Sequence, residues 1–314
     1  MLRTPRLLPA IAALSLCGAC NTATVTPDEA LPAEPPAVMA EVVPDVEVVK
    51  EVEVDPIDAI LAADFRAESR ARDGARHPKE TLQFFGVTRS STVVELWPGG
   101  GWYTEILAPL VRDEGKLIVT NYDPKGPAKY YGTKGAATFA AKLAAAPERY
   151  DRVEVVRVTQ DVKLDKKGEV KSIAIKPFPL AAPGSVDVVL TFRNVHGWYE
   201  HKQLAKVLEM AYLALREGGV LGIVAHRAAQ GADPVETAPL GYLPEEAVIE
   251  AAQAAGFTLA GRAEINANPR DTKDYKQGVW TLPPRLIEGD KDRERYLEIG
   301  ESDRMTLKFV KPAK

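Results

Sequence analysis

The spacing of apolar positions changes period repeatedly along this chain, and each change marks an element. From Ile57 to Arg72 (IDAILAADFRAESRAR) apolar residues recur at helical spacing with charges on the remaining face, which predicts a helix. Lys79–Phe85 predicts a second, shorter helix closed by Gly86. The apolar run Thr92–Leu96 predicts a strand, and Tyr103–Val111 a helix after it. The alternation continues with a strand at 116–120, an alanine-rich helix at 130–146 and a strand at 153–158. Val186–Phe192 (VDVVLTF) is continuously apolar, as a parallel strand buried on both faces would be. His201–Arg216 predicts a helix ended by Gly218-Gly219, Val220–Ala225 a strand, and Pro244–Ala255 a helix ended by Gly256. Shorter strands are predicted at Leu259–Ile265, Val279–Leu282 and Leu307–Val310. The polar stretch Asp165–Lys171 (DKKGEVK) reads as the turn of an inserted hairpin. Strands and helices in this order predict an α/β fold over residues 57–314. Its sheet is doubly wound and mostly parallel, with extra helices at the N-terminal end.

The first 56 residues break the pattern. Arg3 and Arg6 precede a short apolar run, Leu7–Leu16, and the small residues Gly18 and Ala19 then lead into Cys20. That run is too short to span a bilayer as a helix. It suits an export signal over residues 1–20. Cysteine directly after Gly-Ala resembles a bacterial lipoprotein signal, although Cys17 stands where that pattern usually has leucine. The resemblance implies a lipid on Cys20 and a membrane-anchored, exported protein of the cell envelope; the alternatives are an ordinary cleaved signal, or a cytoplasmic protein if the signal is not functional. Residues 21–56 are rich in Pro, Val, Ala and Glu, and between Pro27 and Pro56 nine acids face the single base Lys50. Such a segment predicts a disordered acidic linker.

Composition narrows the chemistry. A net charge of -4 gives no basic footprint, which argues against a nucleic-acid partner. Cys17 and Cys20 are the only cysteines, so the folded region has no thiolate metal site. His77, His196, His201 and His226 are scattered without metal-ligand spacing, and no metal is expected.

Candidate chemistry begins at Val93–Tyr103 (VVELWPGGGWY). Gly99, Gly100 and Gly101 fall between a strand and a helix, where a backbone without Cβ can approach a ligand and helix N–H groups can meet an anion. Asp123 (IVTNYDP) follows the second strand, where a carboxylate can accept bonds from ribose hydroxyls or simply form an Asp-Pro turn. Gln160-Asp161 is expected at the end of the third, where an adenine amino group would lie.

These segments resemble the class I S-adenosylmethionine-dependent methyltransferases. Glu95-Leu96-Trp97-Pro98-Gly99-Gly100-Gly101 is similar to their acidic glycine-rich turn. Pro177–Leu180 with Gly184–Leu190 is similar to the approach to their fourth strand, and Leu215–Leu221 to the turn into the fifth. WPGGG followed by Tyr103–Pro109 is similar to a bacterial group of predicted methyltransferases. The resemblance implies a seven-stranded Rossmann-like sheet with its last strand antiparallel, and S-adenosylmethionine as cofactor. Gly99 and Gly101 would then approach the methionine part, with Gly100 between them. Asp123 would meet the ribose, Gln160 and Asp161 the adenine, and Glu95 the amino group. Trp97 departs from the pattern, which has glycine there. It is expected to keep ordinary β dihedrals, with its indole beside the cofactor or beneath the helix.

The segment Thr191–Tyr199 (TFRNVHGWY) sits where acceptors enter in the resembled fold. His196 is a candidate base, Asn194 and Arg193 candidate positioning groups, and Trp198, Tyr199 and His226 candidate walls for a small-molecule acceptor. The alternative is a non-catalytic, membrane-tethered binding module that keeps the fold. An exported chain would lie apart from the cytosol in which the cofactor is made.

Overall fold

The computed structural model describes residues 55–313. The expected signal, Cys20 and nearly all of the acidic linker lie outside the described residues. Asp55 caps the first helix, Pro56–Ala62, by accepting from the Ile57 N–H at 2.9 Å.

Nine strands follow: β1 (Thr92–Leu96), β2 (Lys116–Asn121), β3 (Glu154–Arg157), β4 (Gln160–Leu164), β5 (Val170–Ile175), β6 (Val186–Phe192), β7 (Leu215–His226), β8 (Thr258–Ala263) and β9 (Arg304–Val310). Seven of them form one sheet in the order β3-β2-β1-β6-β7-β9-β8. Pairing is parallel from β3 through β7, and β9 runs antiparallel between β7 and β8. This is the seven-stranded, mostly parallel, doubly wound sheet with an antiparallel last strand that the resemblance implies. Order reverses between β1 and β6, which makes their carboxyl ends the topological switch point, where open α/β sheets bind ligands.

The continuous apolar strands serve two cores. Val93 and Val94 are both fully buried, yet Val93 joins the cluster under the Pro78–Phe85 and Thr104–Val111 helices, while Val94 joins the cluster under the Leu204–Ala214 and Glu245–Ala254 helices. Strand period places neighbouring residues on opposite faces, so a strand covered on both sides must be apolar throughout. Among the described residues no helix is long and apolar enough to cross a membrane.

Several local expectations are corrected. Ile57–Arg72 is not one helix: Ala63 is extended and breaks it, and the chain resumes as a short turn at Asp64–Arg66 that delivers buried Arg66 to Asp73 and Glu105. The His201–Arg216 helix is Leu204–Ala214, preceded by a separate turn of helix at Val195–Glu200. Leu215 is already extended, and Gly218-Gly219 lies inside β7, where the β6–β7 register slips between Val186 and Val188. The glycines therefore make an irregularity in a strand, not a helix cap. Val279–Leu282 is a 3-10 turn, Gly278–Thr281; the Pro283-Pro284 pair that follows lacks the N–H groups a strand ladder needs. Gln160 and Asp161 do not end the third strand. They open β4, which pairs only with β5 in a separate two-stranded sheet around the polar turn the sequence indicates.

Candidate functional site

β1 ends at Leu96, and Trp97 turns the chain with φ +46, the left-handed region where glycine is at home. The expectation of ordinary β dihedrals is thus corrected: the tryptophan takes the glycine's conformation. Such a residue persists only if its surroundings over-determine it. Here the Trp97 N–H donates to Thr120 Oγ1 at 3.1 Å, while Asn194 Nδ2 donates to the carbonyls of Leu96 (2.9 Å) and Trp97 (3.3 Å). The indole is 4% exposed and packs edge-on against Trp198, with ring centroids 4.9 Å apart, and against Tyr122 and Phe178. Its Nε1 is buried without a hydrogen-bond partner among the described residues.

The turn closes through a bond from the Gly101 N–H to the Pro98 carbonyl at 2.9 Å. A Cβ on Gly99 or Gly100 would meet no atom within 4 Å, so this backbone faces open space. Gly101 differs. A Cβ there would stand 2.7 Å from the Phe139 ring, and its φ of +73 is also left-handed. Gly101 is buried beneath Phe139, away from the open side on which a ligand was expected to meet it. Lys142 Nζ holds the turn from behind, donating to the Gly101 carbonyl at 3.2 Å and to Glu105 at 2.8 Å. Glu95 is likewise turned inward. It accepts from Thr104 Oγ1 at 2.6 Å, and burial lifts its carboxyl to about 7 against that bond. In this rotamer it meets the first turn of the next helix rather than an amino group.

Gly99, Trp97, Arg193, Asn194, His196, Trp198 and His226 line one cavity of about 620 Å³. Gln160 reaches it from β4. Tyr199 does not. One position further round the short helix, it faces a different surface recess beside Leu204 and Val235, so the wall role expected of it is not met. Asp123 and Asp161 line a second cavity of about 500 Å³, which shares Tyr122 and Gln160 with the first. Asp123 accepts from the Lys125 N–H at 3.0 Å in a local turn, with Arg157 3.8 Å away, and Asp161 pairs with Lys176 at 3.1 Å.

The inner wall of the larger cavity is electrostatically unusual. His196 is pushed down to about 4 by burial and by Arg193, and its Nδ1 has no partner among the described residues. It is neutral near pH 7 and a weak base. His226 is buried, held well below the usual imidazole range by burial and then by His196, and its Nδ1 lies 2.5 Å from Ser302 Oγ. Arg193 ends β6 with φ +67, its N–H donating to the Val224 carbonyl at 2.7 Å. Behind it stand Arg72, Arg76 and Arg304, all on Glu301. Burial and the neighbouring Arg193 lower Arg76 to about 9, and burial lowers Arg193 itself to about 10 while Glu301 opposes the shift. Both remain charged at neutral pH.

Glu301, Ser302 and Trp280 also line this cavity, and sequence reasoning missed them. They arrive from the C-terminal segments that place β9 next to β7, with no motif around them. The unusual density of arginine about Arg72–Arg76 was the one available signal.

No protein-family model matches the chain, and no curated protein matches it. Solved structures do. The chain is similar to a SAM-dependent methyltransferase from Aquifex aeolicus at 18% identity and TM-score 0.45, covering 68% of this chain and 94% of that one. It is similar to the [4+2]-cyclase SpnF at 17% identity and TM-score 0.47, covering 76% and 81%. It is also similar to a geranyl diphosphate methyltransferase solved with SAM, at 14% identity and TM-score 0.46, covering 81% and 94%.

Proposed function

We propose that this chain is an S-adenosylmethionine-dependent methyltransferase for a small-molecule acceptor, tethered at the cell envelope through a lipid on Cys20. The carrying observation is that the open Gly99-Gly100 backbone and the Arg193–His196 rim end neighbouring strands at the switch point, beside one cavity. The residues present fit the cofactor. Gly99 and Gly100 leave room for the methionine part, and Tyr122 and Gln160 join this cavity to the one where Asp123 and Asp161 would hold ribose and adenine. When bound, the cofactor would supply an electrophilic sulfonium methyl group.

The chain's own part is alignment and exclusion of water. Asn194 fixes the turn through its two carbonyls, and Trp198 backs the Trp97 indole. Neutral His196 can accept a hydrogen bond, but with its affinity for protons lowered to about 4 it suits acceptors that need little help in deprotonation.

A second reading, a binding module that kept the fold, is favoured by the engagement of Glu95 with Thr104 and of Asp123 with its own turn. Calorimetric titration of the full chain with S-adenosylmethionine and its demethylated product separates the two. Micromolar binding of both, lost in Asp123→Ala, supports the enzyme; binding of neither supports the module. Mass spectrometry of the native N-terminus tests the tether, which fails if Cys20 carries no lipid.

A further inference from the structure

Three guanidiniums grip one carboxylate at the larger cavity, and a fourth, that of Arg193, lines the same cavity. Glu301 accepts from Arg72 at 2.7 Å and is paired with Arg76 at 3.2 Å and Arg304 at 3.0 Å. Its two oxygens are fully engaged. Arg193 lines the same cavity as Glu301, and among the described residues it forms no ion pair. Four cations against one anion leave three positive charges unbalanced.

Nearby acids do not make up the difference. Asp303 is held by Arg227 and Lys273, and Glu105 by Lys142 and Arg66. Arg72 Nη2, Arg76 Nη2 and Arg304 Nε are buried without a hydrogen-bond partner among the described residues. A buried excess of charge is costly unless a counter-charge accompanies it. Of the four arginines, Arg193 is the one that lines the cavity. The left-handed backbone at Arg193 has the character of strain kept at a binding position.

A guanidinium presents parallel N–H groups that match two oxygens of a carboxylate or phosphate. Aromatic side chains share this lining, with Trp97, Trp198, Trp280 and Phe192 on the cavity beside the polar Asn194, His196, Gln203 and His226. We propose that Arg193 binds the anionic group of an aryl carboxylate or aryl phosphate whose ring lies among these side chains. As the methyl acceptor this ligand rests on the function proposed above; as a bound anion it does not.

The test is calorimetric titration of the full chain with benzoate, phenyl phosphate and neutral benzamide, in wild type, Arg193→Gln and Arg193→Lys. Wild type is expected to bind one of the two anions on the order of tenfold more tightly than benzamide, the scale of a charged hydrogen-bonded contact. Preference for benzoate names the carboxylate class, preference for phenyl phosphate the other. Arg193→Gln should lose the preference, and Arg193→Lys should keep part of it. If Arg193→Gln fails to fold, as its melting curve would show, the lysine variant decides: a preference reduced several-fold supports the site, and an unchanged one overturns it. Absence of any anion preference in wild type, or its persistence in Arg193→Gln, overturns the proposal outright. S-adenosylmethionine titrated into wild type distinguishes the two readings, because anion binding without nucleoside binding removes only the role of methyl acceptor.

Discussion

The two cavities that meet at Tyr122 and Gln160 handle charge in opposite ways. In the smaller one, Asp123 and Asp161 are exposed, each with a base nearby, Arg157 or Lys176, and solvent screens the pairs. In the larger one, arginines crowd a single buried glutamate, and neutral histidines stand beside them. Solvated, matched charges can be moved at little cost. Buried, mismatched charges are costly to move and must be held by the fold.

The contrast can be broken most directly at Glu301. Glu301→Gln removes the carboxylate from the buried Arg76 and Arg304 and the half-buried Arg72 and should cost about 3–5 kcal/mol, the range for breaking a buried pair. Urea unfolding measures it, and a cost below about 1 kcal/mol would mean that the cluster is effectively solvated. Trp97 gives a finer test. Both Trp97→Ala and Trp97→Gly lose the buried indole, but only glycine is at ease at φ +46, so the glycine variant should be the more stable by about 1 kcal/mol. Equal melting behaviour would show that Thr120 and Asn194 do not enforce the turn.

Acid sensitivity comes next. The folded chain holds His196 near 4 against an ordinary value of 6.5, so between those limits the unfolded chain binds more protons. The His196 contribution should be complete above that ordinary value and decline as pH falls toward 4, with Glu301, lowered to about 2, extending the decline from 4.5 downward. Glu95, raised to about 7, contributes in the opposite sense between 4.5 and 7. His196→Gln should flatten the upper part of the slope in urea midpoints compared at about pH 7.5 and 5. The smallest effect belongs to Asp161→Asn, about 0.5 kcal/mol or less, as for an exposed pair. A loss as large as that at Glu301 would erase the distinction between the cavities.

Much of the site was legible where local chemistry marks it. Gly99 between a strand and a helix, and Arg193, Asn194 and His196 after a largely apolar strand, all line one cavity. Expectations resting on a residue's outward direction fared less well. Glu95 turns to Thr104, Gly101 lies beneath Phe139, and Tyr199 faces another recess, because each direction is set by a neighbour distant in the chain or by one step of helix rotation.

The sequence by itself determined the strand–helix alternation, the doubly buried strands and the glycine turn, since these depend on period, on apolar runs and on residues without Cβ. Only the tertiary structure decided that Trp97 adopts the glycine's left-handed backbone, and that Arg72, Arg76 and Arg304 converge on Glu301. Burial and charge balance are properties of the assembled neighbourhood, and Arg72 and Arg76 lie more than two hundred residues from Glu301 along the chain.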